Sequence, residues 1–318
     1  MDVLSDLLYR ARAGEPLVRQ MIAPPPWAIA FADPPPLTVV ATLGGHACIR
    51  LDDASPTMLS AGDIALVRDL GGHTIGDSPA TPPQSVVRRG RKYRADTGEE
   101  VPDRPSHGPR TYGGGGPDAI TMIRGTYHLR GAVGDRLLEM LPPLAVVPAG
   151  PRTGAALDLL TAETTRDEPG QDAVIGRLLD LVLVMALRAF VMASPAAPAW
   201  YRALLDPTIS ALLGRLHTSP EQKWTVADLA ATAGMSRAAF AARFTALVGE
   251  PPLTYLTAWR MTLAADRLDD TDDTVGVIAR AVGYQDAFAF SVAFKRAHGV
   301  SPSGWRRRRE NGVNRIRR

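Results

Sequence analysis

"VIARAVGYQDAFAFSVAFKRAHGVSPSGW", Val277 to Trp305, combines small residues, a mid-segment Gly283, a ladder of phenylalanines and a basic exit. A similar stretch has already passed at Val226 to Tyr255, "VADLAATAGMSRAAFAARFTALVGEPPLTY". The two copies are in register at an offset of 50. Phe240 matches Phe290, Phe244 matches Phe294, Gly249 matches Gly299, Pro252 matches Pro302, and Tyr255 matches Trp305. Gly234 and Gly283 are 49 apart, so the second copy holds one extra residue between its glycine and its first matched phenylalanine.

The residue types explain the repeat. Thr225 followed by Asp228 resembles a capping box, with the shorter acid in place of Glu or Gln. Ala230 lies four residues before Gly234, where two helices crossing at close range need a small side chain and the turn needs a left-handed backbone. Ser236 then caps a helix predicted to bury Phe240, Phe244 and Val248. In the second copy Ala279 precedes Gly283, and Phe290, Phe294 and Ala297 are predicted to line the buried face. This is helix-turn-helix grammar, written twice. Between the copies, "YLTAWRMTLAADRLDD" supplies one helix long enough to hold them apart.

Moving outward, the 318 residues are long enough for two domains with separate cores. The formal net charge of +3 hides an asymmetry: residues 1–214 hold 20 Lys/Arg against 23 Asp/Glu, and residues 215–318 hold 16 against 10. A basic C-terminal module on a slightly acidic N-terminal one points to a polyanion-binding end and a separate sensing end. The single cysteine, Cys48, cannot form an internal disulfide, and the N-terminus lacks a secretory pattern. Residues 174–193 come nearest to a membrane span, but Arg177, Asp180 and Arg188 interrupt them. They read as a buried packing helix, so the expectation is a cytoplasmic, nucleoid-associated protein with no membrane partner.

Upstream, Leu4, Leu7, Leu8 and Ala11 share one helical face. "PWAIAF", "LTVVATL", "HACIRL", "TMLSAGDIALVR" and "AITMIRGTYHL" then read as closely spaced antiparallel strands of a sandwich or barrel. In "HACIRL", Ala47, Ile49 and Leu51 alternate with Cys48 and Arg50, as in a strand buried on one face. Residues 77–118 read as a long loop with room for one hairpin. The predicted fold class is α+β multidomain: an N-terminal cupin-like β-barrel over 1–160, a helical linker and dimerisation segment over 161–217, an all-α double helix-turn-helix over 218–310, and a basic tail over 311–318.

The doubled motif resembles the AraC family of bacterial transcription regulators over about 95 residues, with "GYQDAFAFSVAFKRAHGVSPSGWR" very near the family signature. More loosely, residues 1–150 look like the cupin-type ligand-binding domain of one branch of that family, through "SAGDIALVRDLGGHTIGD". The resemblance implies a sequence-specific regulator, activators included, that binds double-stranded promoter DNA. Its partners would be a small-molecule effector, RNA polymerase and a second copy in a homodimer. It further implies recognition helices in adjacent major grooves, about 34 Å apart. Position by position, Ser236 starts the first recognition helix, which would present Arg237, Ala238, Ala241 and Ala242. The second would present Ala287, Phe288, Ser291 and Val292, with Lys295, Arg296 and Arg306 to Arg309 near phosphates. Most of these groove-facing residues are apolar, so thymine methyls, backbone contacts and DNA shape are expected to matter more than polar readout. Phe288 reads equally well as core or as groove.

Trp27, His46 and His73 are the effector-pocket candidates. His46, His73, His107 and His128 invite a metal reading, yet the His-x-His spacing of metal-binding cupins is absent, and Arg68 and Leu70 replace that motif's Pro and Gly. No metal and no cofactor is expected. "TYGGGGPD" lacks the Gly-Lys-Ser/Thr of a phosphate loop, and no nucleophile–base–acid set appears, so an enzyme is not expected. Two further readings fit the sequence: a metal-dependent cupin enzyme fused to a DNA-binding tail, and a ligand-independent architectural DNA binder.

Overall fold

A computed structural model describes residues 2–11, 16–52, 54–102, 110–193 and 198–308. His107, Arg309 and the tail at 311–318 lie outside the described residues. Contacts divide the chain into two compact units. One comprises Arg12–Leu129 and Leu141–Ala196; the other comprises Met1–Ala11, Arg130–Met140 and Ala197–Arg318.

The first unit holds thirteen described strands. They are β1 (Leu17–Ala23), β2 (Ala28–Phe31), β3 (Leu37–Gly44), β4 (His46–Arg50), β5 (Thr57–Ser60), β6 (Ile64–Arg68) and β7 (His73–Gly76). Then follow β8 (Ser85–Arg88), β9 (Arg91–Arg94), β10 (Glu100–Val101), β11 (Thr111–Gly113), β12 (Ile120–Tyr127) and β13 (Leu144–Val147). They form a six-stranded sheet, β11-β1-β12-β3-β6-β13, and a seven-stranded sheet, β10-β9-β8-β2-β7-β4-β5. All ladders are antiparallel except β1–β11 and β2–β8. The sheets do not close into one barrel. They share a core in which Val40, Ala65, Val67 and Met122 of one meet Phe31, Ile49, Leu59 and Ile75 of the other. The segment expected to be mostly loop, 77–118, supplies the β8–β9 hairpin and also β10 and β11. Cys48 was expected on an open face but is 1% exposed, so β4 is covered on both sides there; burial pushes the thiol up from its ordinary value.

Two helices of this unit, α3 (Pro151–Thr164) and α4 (Gln171–Ala193), pack on one another. Helix α4 lies close over β12 at Gly125: a Cβ there would stand 2.5 Å from a Leu179 methyl. Gln20 is buried and accepts from Thr111 and Thr164 Oγ1 at 3.2 and 2.9 Å, so its burial goes compensated. Helix α4 therefore belongs to the sheet unit rather than to a free linker. Among the described residues no helix is long and apolar enough to cross a membrane.

The second unit gathers α1 (Val3–Ala11), α2 (Gly131–Leu138), α5 (Ala199–Arg202), a 3-10 turn at Ala203–Leu205, and α6 (Pro207–Thr218). It continues with α7 (Val226–Thr232), α8 (Arg237–Val248), α9 (Pro252–Asp270), α10 (Val275–Ala281) and α11 (Ala287–His298). This unit is drawn from three separate stretches of the chain. The apolar face of α1 (Val3, Leu4, Leu7, Leu8) is buried by packing on α2 and α6, which groups α1 with the helices that follow Ala199. Asp266 of α9 fixes α2 in turn, its carboxylate accepting from the N–H groups of Ala132 and Val133. No side chain caps that helix from its own N-cap position, Arg130, so α9 supplies the missing acceptor.

Candidate nucleic-acid interface and an interior cavity

The repeat in the sequence is a repeat in space. Phe240 packs on Phe244 at 5.7 Å, and Phe244 meets Tyr255 edge-on at 6.2 Å. Phe290 packs on Phe294 at the same 5.7 Å, and Phe294 meets Trp305 edge-on at 5.8 Å. All four phenylalanines are fully buried. Thr225 and Asp228 form the full capping box. Gly234 and Gly283 both have left-handed φ, 66° and 87°. Around Gly234 there is open space, whereas a Cβ on Gly283 would meet the Glu221 carbonyl at 2.7 Å. Helix α9, carrying buried Leu256, Trp259, Ala264 and Leu268, packs against α8, α10 and α11 and so holds both copies.

With the phenylalanines inward, the opposite faces of α8 and α11 are open. Ser236, Arg237, Ala238 and Ala242 are exposed and Ala241 is half-buried. The Ser236 hydroxyl accepts from Ala239 N–H at 3.3 Å and so caps α8. On α11, Ala287 is exposed, Ser291 is half-buried, and Phe288 and Val292 are 76% and 55% exposed one turn apart. Phe288 is therefore surface, not core. Ser291 donates its hydroxyl hydrogen to Ala287 O at 2.7 Å, so toward a base it can only accept. Lys295 and Arg296 are exposed in the last turn of α11. Ala297, expected inward, is exposed, because the buried stripe narrows to the two phenylalanines.

Arg306 departs from the sequence expectation. It is expected near phosphates, but its Nη2 donates to Thr271 O and Asp273 O at 3.3 and 2.7 Å, fastening the stretch after α11 to the α9–α10 turn. Arg307 and Arg308 are exposed. Arg243 pairs with Asp206, the N-cap of α6, at 2.6 Å. Asp286, which sequence reasoning passed over, caps α11 by accepting from Phe288 and Ala289 N–H at 3.0 Å each, and those bonds hold its carboxyl below the usual range. Its signal was there to read: an Asp directly before a helical run, at the position that matches Ser236 of the first copy at the offset of 50.

In the sheet unit, Trp27 is 6% exposed within the shared core and His46 is exposed on β4. His73 is 3% exposed and stacks on Phe31 at 5.0 Å. Burial and the Arg124 charge hold its pKa at about 3, so the ring is neutral. None of the three lines the cavity of about 80 Å³ between the sheets, whose walls include Arg19, Phe31, Lys92, Met122 and Arg124. Phe31 stands between His73 and that space. Among the described residues, no three His, Cys, Asp or Glu side chains group closely enough to hold a metal.

Comparison with known proteins bears on both units. A family profile described as a cupin matches residues 2–192, and one described as a helix-turn-helix domain matches residues 229–308. The chain is 34% identical to a putative AraC-like transcription regulator of Streptomyces antibioticus, covering 96% of this chain and 99% of that one. It is 30% identical to the HTH-type transcriptional regulator AlkR of Acinetobacter baylyi, covering 88% and 90%. Among solved structures, the DNA-binding domain of the global transcriptional factor AdpA in complex with a target DNA is 31% identical, with a TM-score of 0.32 over 36% of this chain and 96% of that one.

Proposed function

This chain belongs to the AraC-like transcription regulators, carrying a cupin domain and a helix-turn-helix region, and from that premise we propose that α8 and α11 read two adjacent major-groove segments of its promoter DNA. The observation that carries the reading is the duplicated unit itself. Two helices of 12 residues each bury a matched pair of phenylalanines on the common support of α9 and leave the opposite face open. Arg237 supplies the hydrogen-bonding base contact on α8. Phe288 and Val292 supply apolar contact with thymine methyls on α11, and Lys295 and Arg296 meet phosphates.

The cupin domain receives a small-molecule effector in the cavity between its sheets, and the protein acts as a regulator rather than an enzyme. Binding changes output only through different affinities for two arrangements of the chain. The protein works in the cytoplasm, at the nucleoid, as a homodimer, with RNA polymerase at the promoter it serves. Val174, Leu178, Leu181, Met185 and Met192 of α4 stand at spacings of 4, 3, 4 and 7 residues, the period of a coiled-coil seam, and Val174, Leu181 and Met192 are exposed. That stripe is where the two copies pair.

The test is binding of purified protein to its own upstream region across a salt series, with scrambled competitor. Retention against competitor supports specific recognition; equal displacement by scrambled DNA at every salt concentration contradicts it.

A further inference from the structure

Arg19 and Arg124 are direct partners across the β1–β12 ladder, and both line the cavity between the sheets. Like charges in opposed positions of an antiparallel pair repel, so this pairing works against the fold. The Arg124 guanidinium lies over the Phe31 ring at 4.1 Å. Its Nε is buried without a hydrogen-bond partner, and among the described residues no carboxylate pairs with it. Burial, with the Arg19 charge behind it, pulls the Arg124 pKa down to about 10, which still leaves it charged at neutral pH. Lys92 of β9 adds a third cation to the same walls, and Met21, Ile29, Val87 and Met122 make most of the remainder apolar.

An adjoining recess shares Arg19, Phe31 and Arg124 with the cavity and reaches Asp33 and His128. Asp33 is the acid there, and both its carboxylate oxygens accept from the Arg89 N–H, at 2.7 and 2.9 Å. The Arg124 charge is uncompensated where the cavity adjoins this recess of about 350 Å³, within the roughly 300–1,000 Å³ that small-molecule sites occupy. A charge held in low-dielectric surroundings without a partner is costly, and an incoming anion removes that cost. A guanidinium presents a planar fork that matches a carboxylate two-for-two.

We propose that the ligand of this cavity is an organic carboxylate with an apolar body. Its carboxylate sits on Arg124, with Arg19 and Lys92 adding charge, and its hydrocarbon lies against Met21, Ile29 and Met122. This rests on the reading of the cupin domain as the effector-binding part and names the chemical class that part takes.

Sodium octanoate is the probe, with 1-octanol as the neutral counterpart and sodium phosphate as the anion without an apolar body. Each is titrated into the full chain, followed by calorimetry and thermal unfolding, and in parallel by DNA affinity. Octanoate is expected to bind and to raise the unfolding midpoint more than either control. Arg124→Leu is expected to raise the midpoint of the ligand-free protein, by removing the like-charge pair, and to weaken octanoate binding about tenfold or more. Arg124→Lys keeps the charge and loses the fork, so its affinity falls between the two. No octanoate binding, equal binding of octanol or phosphate, or octanoate binding undiminished in Arg124→Leu overturns the carboxylate assignment. Octanoate that binds through Arg124 yet leaves DNA affinity unchanged upholds the carboxylate site and retires the effector reading. Octanol that binds as well and shifts DNA affinity does the reverse.

Discussion

Asp6 Oδ2 stands 3.3 Å from His217 Nδ1, and both side chains are buried although 211 positions separate them in the chain. The other ring nitrogen, Nε2, lies 2.6 Å from the Tyr255 hydroxyl, and the ring stacks on Trp259 at 4.0 Å. Burial outweighs the Asp6 contact and holds the imidazole below its ordinary value, so it is neutral. The partners then fix the tautomer: Nδ1–H donates to Asp6, and Nε2 accepts from Tyr255. An N-terminal helix is thereby bonded to the helix that supports the first recognition unit.

A stability profile follows from that pair. With the folded His217 value depressed, the unfolded chain binds a proton that the fold refuses once pH drops below about 6.5, so stability is lost in that direction. Asp6, lowered because hydrogen bonds from His217 and Arg10 outweigh its burial, adds to the loss below about 3.8. His217→Leu should unfold more easily at neutral pH by about 1–3 kcal/mol, leaving Asp6 and Tyr255 short of a partner. It should also be less sensitive than the parent between about pH 7.5 and 5.5. Denaturant unfolding followed by tryptophan fluorescence checks both; equal pH sensitivity in the two proteins contradicts the assignment.

Asp266 has the opposite sign. Burial raises its pKa to about 6, and the two N–H groups of α2 only partly offset this. An acid raised in the fold costs stability as pH climbs from about 3.8, the unfolded value, through about 6. Asp266→Asn keeps an acceptor for α2 without the charge. It should match or exceed the parent above pH 6 and lose stability relative to it at lower pH, whereas Asp266→Ala should lose about 1 kcal/mol of capping at any pH. Thermal midpoints across pH decide; an Asn variant as unstable as the Ala variant at neutral pH contradicts this.

The two turn glycines should not behave alike. Gly234→Ala meets only the left-handed backbone cost, about 1–2 kcal/mol. Gly283→Ala carries the same cost and also drives a methyl into the Glu221 carbonyl. Unfolding free energies should therefore rank Gly283→Ala as the more damaging; equal losses would mean that the second turn relaxes around the new side chain.

Pairing through α4 predicts that Leu181→Glu lowers the mass in sedimentation equilibrium to that of one chain while leaving the cupin domain folded. Leu181 is 38% exposed, so the change is tolerated by the single chain. An unchanged mass contradicts the seam.

The double helix-turn-helix was legible because its signals are local and repeated: caps at Thr225 and Ser236, glycines in the turns, and phenylalanines at helical spacing, all found in place. The strands were legible in kind, since β-branched runs between turn residues leave few alternatives. Less visible was anything set by distant pairing. The meeting of α1 with α6, the Asp6–His217 contact, and the opposition of Arg19 and Arg124 depend on register between segments tens to hundreds of residues apart. The effector-pocket candidates Trp27, His46 and His73 rest on side-chain chemistry alone. Which of them reaches the interior depends on strand pairing, and Phe31 occupies the wall in front of His73.

The most direct test of the central claim is a hydroxyl-radical footprint on the upstream region, comparing the parent with Arg237→Ala and Phe288→Ala. The account predicts protection of two segments about one helical turn apart. Arg237→Ala should weaken one segment and Phe288→Ala the other, each with a loss of about tenfold in affinity. A single protected segment, or two that weaken together in both variants, would contradict the reading of α8 and α11 as separate recognition helices.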